Sequence, residues 1–383
     1  MKLNEPLSVF VVGPGARFLS GISYYTASVA RALRRSGMEV NVLLVRRLCP
    51  QWMYPGRRRV GVISNDVLAL EGVHHQEGLD WYGGPSLIRA LHYLRSSKPD
   101  VLLLNWWTVA TAHNYIVLSL VASRKATRTF IEYHEIQDVS EGRLLLGRLY
   151  LRLVMRILGG AAAGAIVHSR CDAERVRDTF PALRGKPILI AYHPPSEHRS
   201  SKKPVSEPRP SRTRLLFFGV IRPYKGLEEL AEALTVLRAR GTEVSLVVAG
   251  EPWRADDPVL ERLRREPSDV HLELGYVDDE RVGELFSAAD VVVLPYRRAS
   301  ASGPISIAMG SGLPIVTTRI PAIEEVLETY GGAVLAEPGS SASLVDAIER
   351  SLALVGQQFP CPHTWDGNIA RYREFFSAGT DMG

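Results

Sequence analysis

The 383-residue chain is predicted to be an α/β protein of two doubly wound parallel-sheet domains facing a cleft. Three observations predict it. The chain is too long for one ordinary core, so two domains are the natural expectation. Its apolar runs are short, rich in Val, Ile and Leu, and alternate with helical patterns through both halves, as strands buried on both faces of a parallel sheet do. A polar stretch crowded with Pro and Ser, Pro194 to Arg214, divides the chain near its middle and reads as an exposed linker.

In the first domain, 1–193, strands are expected at Val9–Val12, Val40–Val45, Val101–Asn105, Thr129–Glu132, Ala165–Val167 and Ile188–Ala191, with helices such as Ser23–Arg35 and Leu87–Arg95 between them. In the second, 215–365, they are expected at Leu215–Phe218, Ser245–Ala249, His271–Leu274, Val291–Leu294, Ile315–Thr317 and Ala333–Leu335. A last helix from about Asp366 leaves the second domain's strand order and is free to pack back across the hinge. The cleft lies where open α/β sheets take ligands, outside the carboxyl ends of the strands.

With 46% hydrophobic and 23% charged residues the chain is globular rather than disordered or fibrous. Cys49, Cys171 and Cys361 are odd in number and scattered, which suits a reducing, cytoplasmic setting better than a disulfide framework. The N-terminus reads as a first buried strand ending in a Gly-Pro-Gly turn, too short in its apolar run for a secretory signal. No apolar run reaches the length of a membrane span; the longest, Leu144 to Val167, is broken by Arg148, Arg152 and Arg156. Residues 1–200 hold 26 Lys+Arg against 15 Asp+Glu, whereas 201–383 hold 20 against 26. A basic half faces nucleic acid, an anionic membrane or an anionic small substrate, and charge alone does not separate these.

Two segments carry chemistry. Gly219-Val220-Ile221-Arg222-Pro223-Tyr224-Lys225-Gly226 follows a buried strand and precedes a helix starting near Leu227, so its cations sit at the carboxyl edge of the second sheet. Arg offers a planar fork and Lys a point charge to a diphosphate; a merely charged loop is the alternative. Further on, Ser302-Gly303-Pro304 reads as a helix start, a hydroxyl cap followed by Gly and an early Pro, and a helix N-terminus there attracts phosphate.

Taken in order, Gly21-Ile22-Ser23, Tyr133-His134-Glu135, Phe217-Phe218-Gly219 leading into Arg222 to Gly226, Gly275-Tyr276-Val277, Ala289-Asp290 through Pro295-Tyr296, and Gly312-Leu313-Pro314 resemble the retaining family-4 glycosyltransferases. That resemblance implies the GT-B fold of two Rossmann-like domains. It implies Arg222 and Lys225 on the donor's diphosphate, where fixed cations stabilise the leaving group without a metal. It further implies His134 beside the donor sugar, Val277 at the base-binding edge, and Gly219, Gly250, Glu251, Ser300, Ser302, Gly303 and Pro304 around the donor. Asp256-Asp257 and Asp278-Asp279 read as surface turns rather than metal ligands, and no cofactor beyond the nucleotide sugar is expected.

The sequence departs from the family at Ala299 and Ile307, where two glutamates are usual, and at Val220, where an Arg is usual. Backbone groups of Ser300 to Gly303 are therefore expected to take over donor-sugar contacts. Glu135 and Asp138 flank His134 and either touch substrate or hold the loop. On the acceptor side, Gly13-Pro14-Gly15 and Gly21-Ile22 form a glycine-rich turn whose backbone donors approach the reaction centre. Arg46, Arg47, Trp52, Tyr54 and Arg57 to Arg59 suit a membrane interface at the inner face, a lipid-diphosphate acceptor, or a solvated loop. The Arg148, Arg152, Arg156 spacing gives a basic helix face, read here as solvated. Three classes compete: an active nucleotide-sugar transferase acting on a glycan, lipid-linked or small-molecule acceptor; a non-catalytic nucleotide- or partner-binding subunit, motivated by the two missing acids; and a nucleic-acid binder, which lacks any recognisable module.

Overall fold

The computed structural model describes residues 6–15, 21–47, 70, 72–134, 145–195, 212–254, 256–265, 269–299 and 302–378. The linker expected at 194–214 lies mostly outside them, as do Trp52, Tyr54, Arg57 to Arg59, Glu135, Asp138 and Ser300. The chain forms two compact units, Met1–Tyr192 with Trp365–Gly383, and His193–Thr364.

The first unit runs β1 (Ser8–Pro14), α1 (Gly21–Arg35), β2 (Glu39–Arg47), β3 (His74–Asp80), α2 (Gly84–Ser97), β4 (Val101–Trp106), α3 (Ala112–Ser123), β5 (Arg128–Tyr133), α4 (Leu145–Ala161), β6 (Ala162–Val167), α5 (Arg170–Thr179) and β7 (Ile188–Ile190). Its strands pair in the order β3-β2-β1-β4-β5-β6-β7, all parallel. The central strands are buried along their whole length, because helices cover both faces: Phe10 and Val12 of β1 join one core cluster, Val9 and Val11 the other. β3 has no sequence signal, since His74 to Gly78 offer no branched apolar residue. It is an edge strand, held by a bidentate pair of Arg46 Nε and Nη2 with the Asp80 carboxylate and by Asn114 Nδ2 donating to Asp80 O at 2.9 Å.

The second unit runs β8 (Thr213–Phe218), α6 (Leu227–Ala239), β9 (Val244–Gly250), α7 (Pro258–Arg264), β10 (Val270–Leu274), α8 (Asp279–Ala288), β11 (Val291–Leu294), α9 (Gly303–Gly310), β12 (Ile315–Thr318), α10 (Pro321–Leu327), β13 (Ala333–Ala336) and α11 (Ser341–Ser351). Its parallel order is β10-β9-β8-β11-β12-β13. In both sheets the order reverses beside the first strand, at β1/β4 and at β8/β11, which opens a crevice at the carboxyl ends of those strands.

The closing helix, α12 (Trp365–Ser377), belongs to the first unit. Trp365, Ile369, Tyr372 and Phe376 recur at helical spacing and are all buried against the core that holds β1 and α1. Each such side chain contributes about 1.5–3 kcal/mol of burial, so the helix is anchored by packing. Asn368 Nδ2 fixes its start by donating to Tyr192 O at 2.7 Å.

Candidate active site

Three glycines end neighbouring strands of the second sheet. Gly219, Gly250 and Gly275 all have positive φ, 120°, 143° and 134°. A Cβ on Gly250 would overlap the Gly219 carbonyl oxygen, so only glycine lets the two strand ends come this close. The chain leaving Gly219 forms an isolated bridge between Ile221 and Pro252, with Trp253 N–H donating to Ile221 O at 2.9 Å. That bridge sets Trp253 beside Arg222. The guanidinium carbon of Arg222 lies 3.8 Å from a Trp253 ring centroid, and its buried Nε has no hydrogen-bond partner.

A short 3₁₀ turn, Pro223–Lys225, then carries Lys225, and Gly226 at φ 73° starts α6. A Cβ at Gly226 would overlap the Pro295 carbonyl oxygen, and Arg297 N–H donates to Tyr224 O at 2.8 Å, so the loops after β8 and β11 are pressed together. Lys225 Nζ therefore comes to rest over the face of Tyr296, 3.8 Å from its centroid. Burial, with the nearby Arg222 adding to it, pushes the Lys225 ammonium down to about 8 against a smaller opposing influence of Tyr224. Neither cation has a carboxylate within ion-pair reach among the described residues. Other arginines of this unit do: Arg238 with Asp269, Arg281 with Glu273 and Glu284, Arg297 with Glu228 and Glu229, Arg319 with Glu324 and Glu337.

Tyr296 is fully buried, and its hydroxyl meets Ser302 Oγ at 3.0 Å. Ser302 is the N-cap of α9 and accepts from Ile305 N–H at 3.3 Å. Pro304 brings no N–H, so Gly303 supplies the first-turn donor that the cap leaves over. A Cβ on Gly303 would meet nothing within 4 Å, whereas one on Gly219 would touch Pro304 Cγ at 3.4 Å. The structure thus brings Gly219, Gly250, Arg222, Lys225, Ser302, Gly303 and Pro304 to one edge of the sheet. Val277 stands farther out, after β10, and packs with Ala299 and Ile307 against the apolar cluster under α8 and α9. The two positions where acids are usual are thus filled by apolar packing. Asp278 caps α8, Asp257 caps α7, and Asp256 pairs with Arg254.

In the first unit His134 and His168 each follow a strand, β5 and β6, whose register pairs Glu132 with Ile166. Two residues on, the rings meet: His134 Nδ1 is 3.1 Å from His168 Nε2. His168 Nδ1 lies 2.8 Å from Ala191 O, which only a donor can satisfy, so its Nε2 accepts and His134 Nδ1–H donates. Burial pushes His168 down to about 4, which keeps it neutral and in that role, and His134 presents Nε2 as its acceptor. Beneath the pair, Glu132 Oε1 accepts from the hydroxyls of Tyr25 and Tyr372, themselves 3.0 Å apart. Burial pushes the Glu132 carboxyl up to about 7, with the two tyrosines opposing. Glu132, His134 and His168 bring ligand-type atoms within 4.8 Å of one another. A metal there would have to replace the bond between the two rings.

The glycine-rich turn is described in part, with residues 16–20 outside the described set. Gly13 and Pro14 belong to β1, and a Cβ on Gly13 would collide with Thr26 and come within 2.9 Å of Asn105 Nδ2, so Gly13 serves the packing of α1. Gly15 N–H reaches Val45 O at 3.4 Å, Gly21 opens α1, and Ile22 packs half-buried on the core. Sequence reasoning missed Trp253, the role of Tyr296, and His168. A histidine directly after each of two adjacent strands was the legible sign of His168.

Two family models match the chain: one for a glycosyl transferase 4-like domain over residues 20–192, and one for glycosyl transferases group 1 over residues 212–353. The chain belongs to the group 1, family-4-type glycosyltransferases of the GT-B fold. It is a nucleotide-sugar glycosyltransferase. The phosphatidyl-myo-inositol mannosyltransferase of Mycolicibacterium smegmatis is 26% identical over 354 residues, 88% of this chain and 80% of that one. The lipopolysaccharide 1,2-N-acetylglucosaminetransferase of Salmonella typhimurium is 29% identical over 150 residues, 37% of this chain and only 39% of that one. Among solved structures, HepE of Anabaena in complex with UDP-glucose superimposes with a TM-score of 0.64 at 14% identity, over 96% of this chain and all of that one.

Two outcomes follow from this geometry. A diphosphate bound beside Lys225 would raise the pKa that burial pushes down to about 8. Nucleotide-sugar affinity should therefore be flat below pH 7 and fall as pH rises through 8, by at most about tenfold per unit. Titration calorimetry between pH 6 and 10 reads this, and Lys225→Arg should flatten the slope. For the histidine pair, His168→Leu removes the acceptor that orients His134 and should lower kcat by about tenfold or more, whereas His168→Gln keeps an acceptor and most of the rate. Equal loss in both variants would contradict that role.

Proposed function

We propose that the chain is a retaining, metal-independent glycosyltransferase that works in the cytoplasm and moves a sugar from a nucleoside diphosphate to a glycan, lipid-linked or small-molecule acceptor. The observation that carries this reading is the pair of cations, Arg222 and Lys225, resting on the faces of Trp253 and Tyr296 without a carboxylate partner among the described residues. Glycosyl transfer is limited by charge that builds on the departing diphosphate, and fixed cations in a poorly hydrated site stabilise it without reorganising. Arg222 presents a planar fork to the phosphate oxygens and Lys225 a point charge. Gly303 N–H adds a donor at the positive end of α9. With cations supplying the charge, no metal is called for at the leaving group.

The second unit then holds the donor, with Val277 and Gly250 toward the base, and the backbone near Ser302 toward the sugar. In the first unit His134 Nε2 accepts from a sugar hydroxyl, and Gly15, Gly21 and Ile22 border the acceptor. The names of the Mycolicibacterium and Salmonella relatives, one a phospholipid mannosyltransferase and one a lipopolysaccharide transferase, support a lipid-linked or glycan acceptor. The non-catalytic reading rested on the acids missing at Ala299 and Ile307.

The test is a donor screen across UDP, GDP and ADP sugars, followed by transfer assays with and without EDTA. A transferred sugar that keeps its anomeric configuration by NMR, at a rate indifferent to EDTA, is the expected result. Lys225→Ala should reduce turnover by about a hundredfold or more while leaving the melting temperature near that of the parent. An inverted product, a rate abolished by EDTA, or a Lys225→Ala variant of near-normal rate would each remove its part of the reading.

A further inference from the structure

We infer that α4 is a docking helix that lies on an anionic lipid surface. Among the described residues ten large apolar side chains are exposed, and four of them stand on this one helix: Leu149 at 51%, Tyr150 at 42%, Leu153 at 58% and Ile157 at 37%. Its other face, Leu151, Val154, Met155 and Leu158, is buried in the core of the first unit, so the helix is already anchored and its exposed apolar strip is surplus to folding. Single exposed apolar residues are ordinary; a contiguous strip marks an interaction surface.

The charges decide what it meets. The helix reads LLGRLYLRLVMRILGGA, with three arginines and no Asp or Glu. At about 100° per residue, Arg152 and Arg156 line one edge of the exposed strip, Leu149, Leu153 and Ile157 its middle, and Tyr150 the opposite edge. Both arginines are exposed. Guanidinium groups along one border, aliphatic side chains between, and a tyrosine at the far border are the arrangement by which an amphipathic helix rests at a bilayer's headgroup boundary. An acidic headgroup satisfies the arginines, and the acyl boundary takes Leu153 and Ile157. At 17 residues interrupted by arginine, α4 lies on a membrane rather than crossing it; among the described residues no helix is long and apolar enough to span one. The basic face read from sequence as solvated is thus half of a mixed apolar and cationic surface. The aromatic and basic insert at Trp52 to Arg59 lies outside the described residues and adds nothing to this inference.

The test is co-sedimentation of the purified full chain with vesicles of phosphatidylcholine alone and of phosphatidylcholine with one-third phosphatidylglycerol. The parent should partition to the anionic vesicles at low salt and far less to the neutral ones. Leu153→Gln with Ile157→Gln should weaken that partition by about tenfold or more, and Arg152→Gln with Arg156→Gln should abolish the preference for phosphatidylglycerol, at about fivefold per arginine. These side chains are exposed, so unchanged melting temperatures are expected and confirm the fold. A parent that ignores anionic vesicles, variants that bind as the parent does, or a lipid-free dimer that the same substitutions dissolve would overturn the inference. Lipid binding is read without any sugar transfer, so a chain that binds vesicles and transfers nothing would remove the proposed function and leave this surface standing.

Discussion

The carboxyl edge of the second sheet depends on one constraint, an ammonium and a guanidinium held on aromatic faces with no carboxylate in ion-pair reach among the described residues. Burial pushes the Lys225 ammonium down to about 8, and the face of Tyr296 offsets part of the cost of keeping it charged. A carboxylate would satisfy the cations more fully, as it does for Arg297 and Arg281, but it would also occupy them. Trp253 and Tyr296 hold the two groups in place and leave their hydrogen-bond donors available. The rest of the local structure serves that arrangement. Gly226 lets the Lys225 turn press against Pro295, Gly219 and Gly250 let two strand ends meet, and Tyr296 reaches on to Ser302, so the cap of α9 and the seat of Lys225 share one side chain.

The first unit solves a different problem, that of fixing one histidine tautomer. Backbone geometry does most of it: Ala191 O orients His168, and neutral His168 orients His134. Tyr25 packs edge-on against His134, at 4.5 Å between centroids, and also hydrogen-bonds Glu132 together with Tyr372 of α12. The last helix of the chain, distant in sequence, therefore helps hold the floor of this cluster. A buried carboxyl pushed toward neutrality and a histidine held neutral beside it form a cluster with little fixed charge, suited to orienting hydroxyl groups.

Much of this was legible in the sequence where physics is local. Val-rich runs marked the buried parallel strands, and the positions of Arg222 and Lys225 followed from a strand ending in glycine before a helix. β3 was missed because an edge strand needs no apolar alternation; it pairs with β2 along a backbone ladder whose end is tied by the Arg46–Asp80 contact, between residues 34 apart. Trp253 and Tyr296 were not recognised as seats for the cations, since the contacts depend on how close two loops come, and that is set by glycines at φ values sequence does not display. The four-residue spacing of arginines on α4 was visible, but which face the helix buries was not; only the position of the core shows that Leu149, Leu153 and Ile157 are left outside.

The central claim is that Arg222 and Lys225 await phosphate rather than stabilise the fold. Titration calorimetry with the nucleoside, its monophosphate and its diphosphate, in the uridine, guanosine and adenosine series, tests it most directly. The account predicts that the diphosphate of the preferred base binds at least about a hundredfold more tightly than the monophosphate, from charge-assisted contacts to the second phosphate, and that Arg222→Leu or Lys225→Met erases most of that difference. Equal affinity for mono- and diphosphate, or a diphosphate preference untouched by both substitutions, would contradict it.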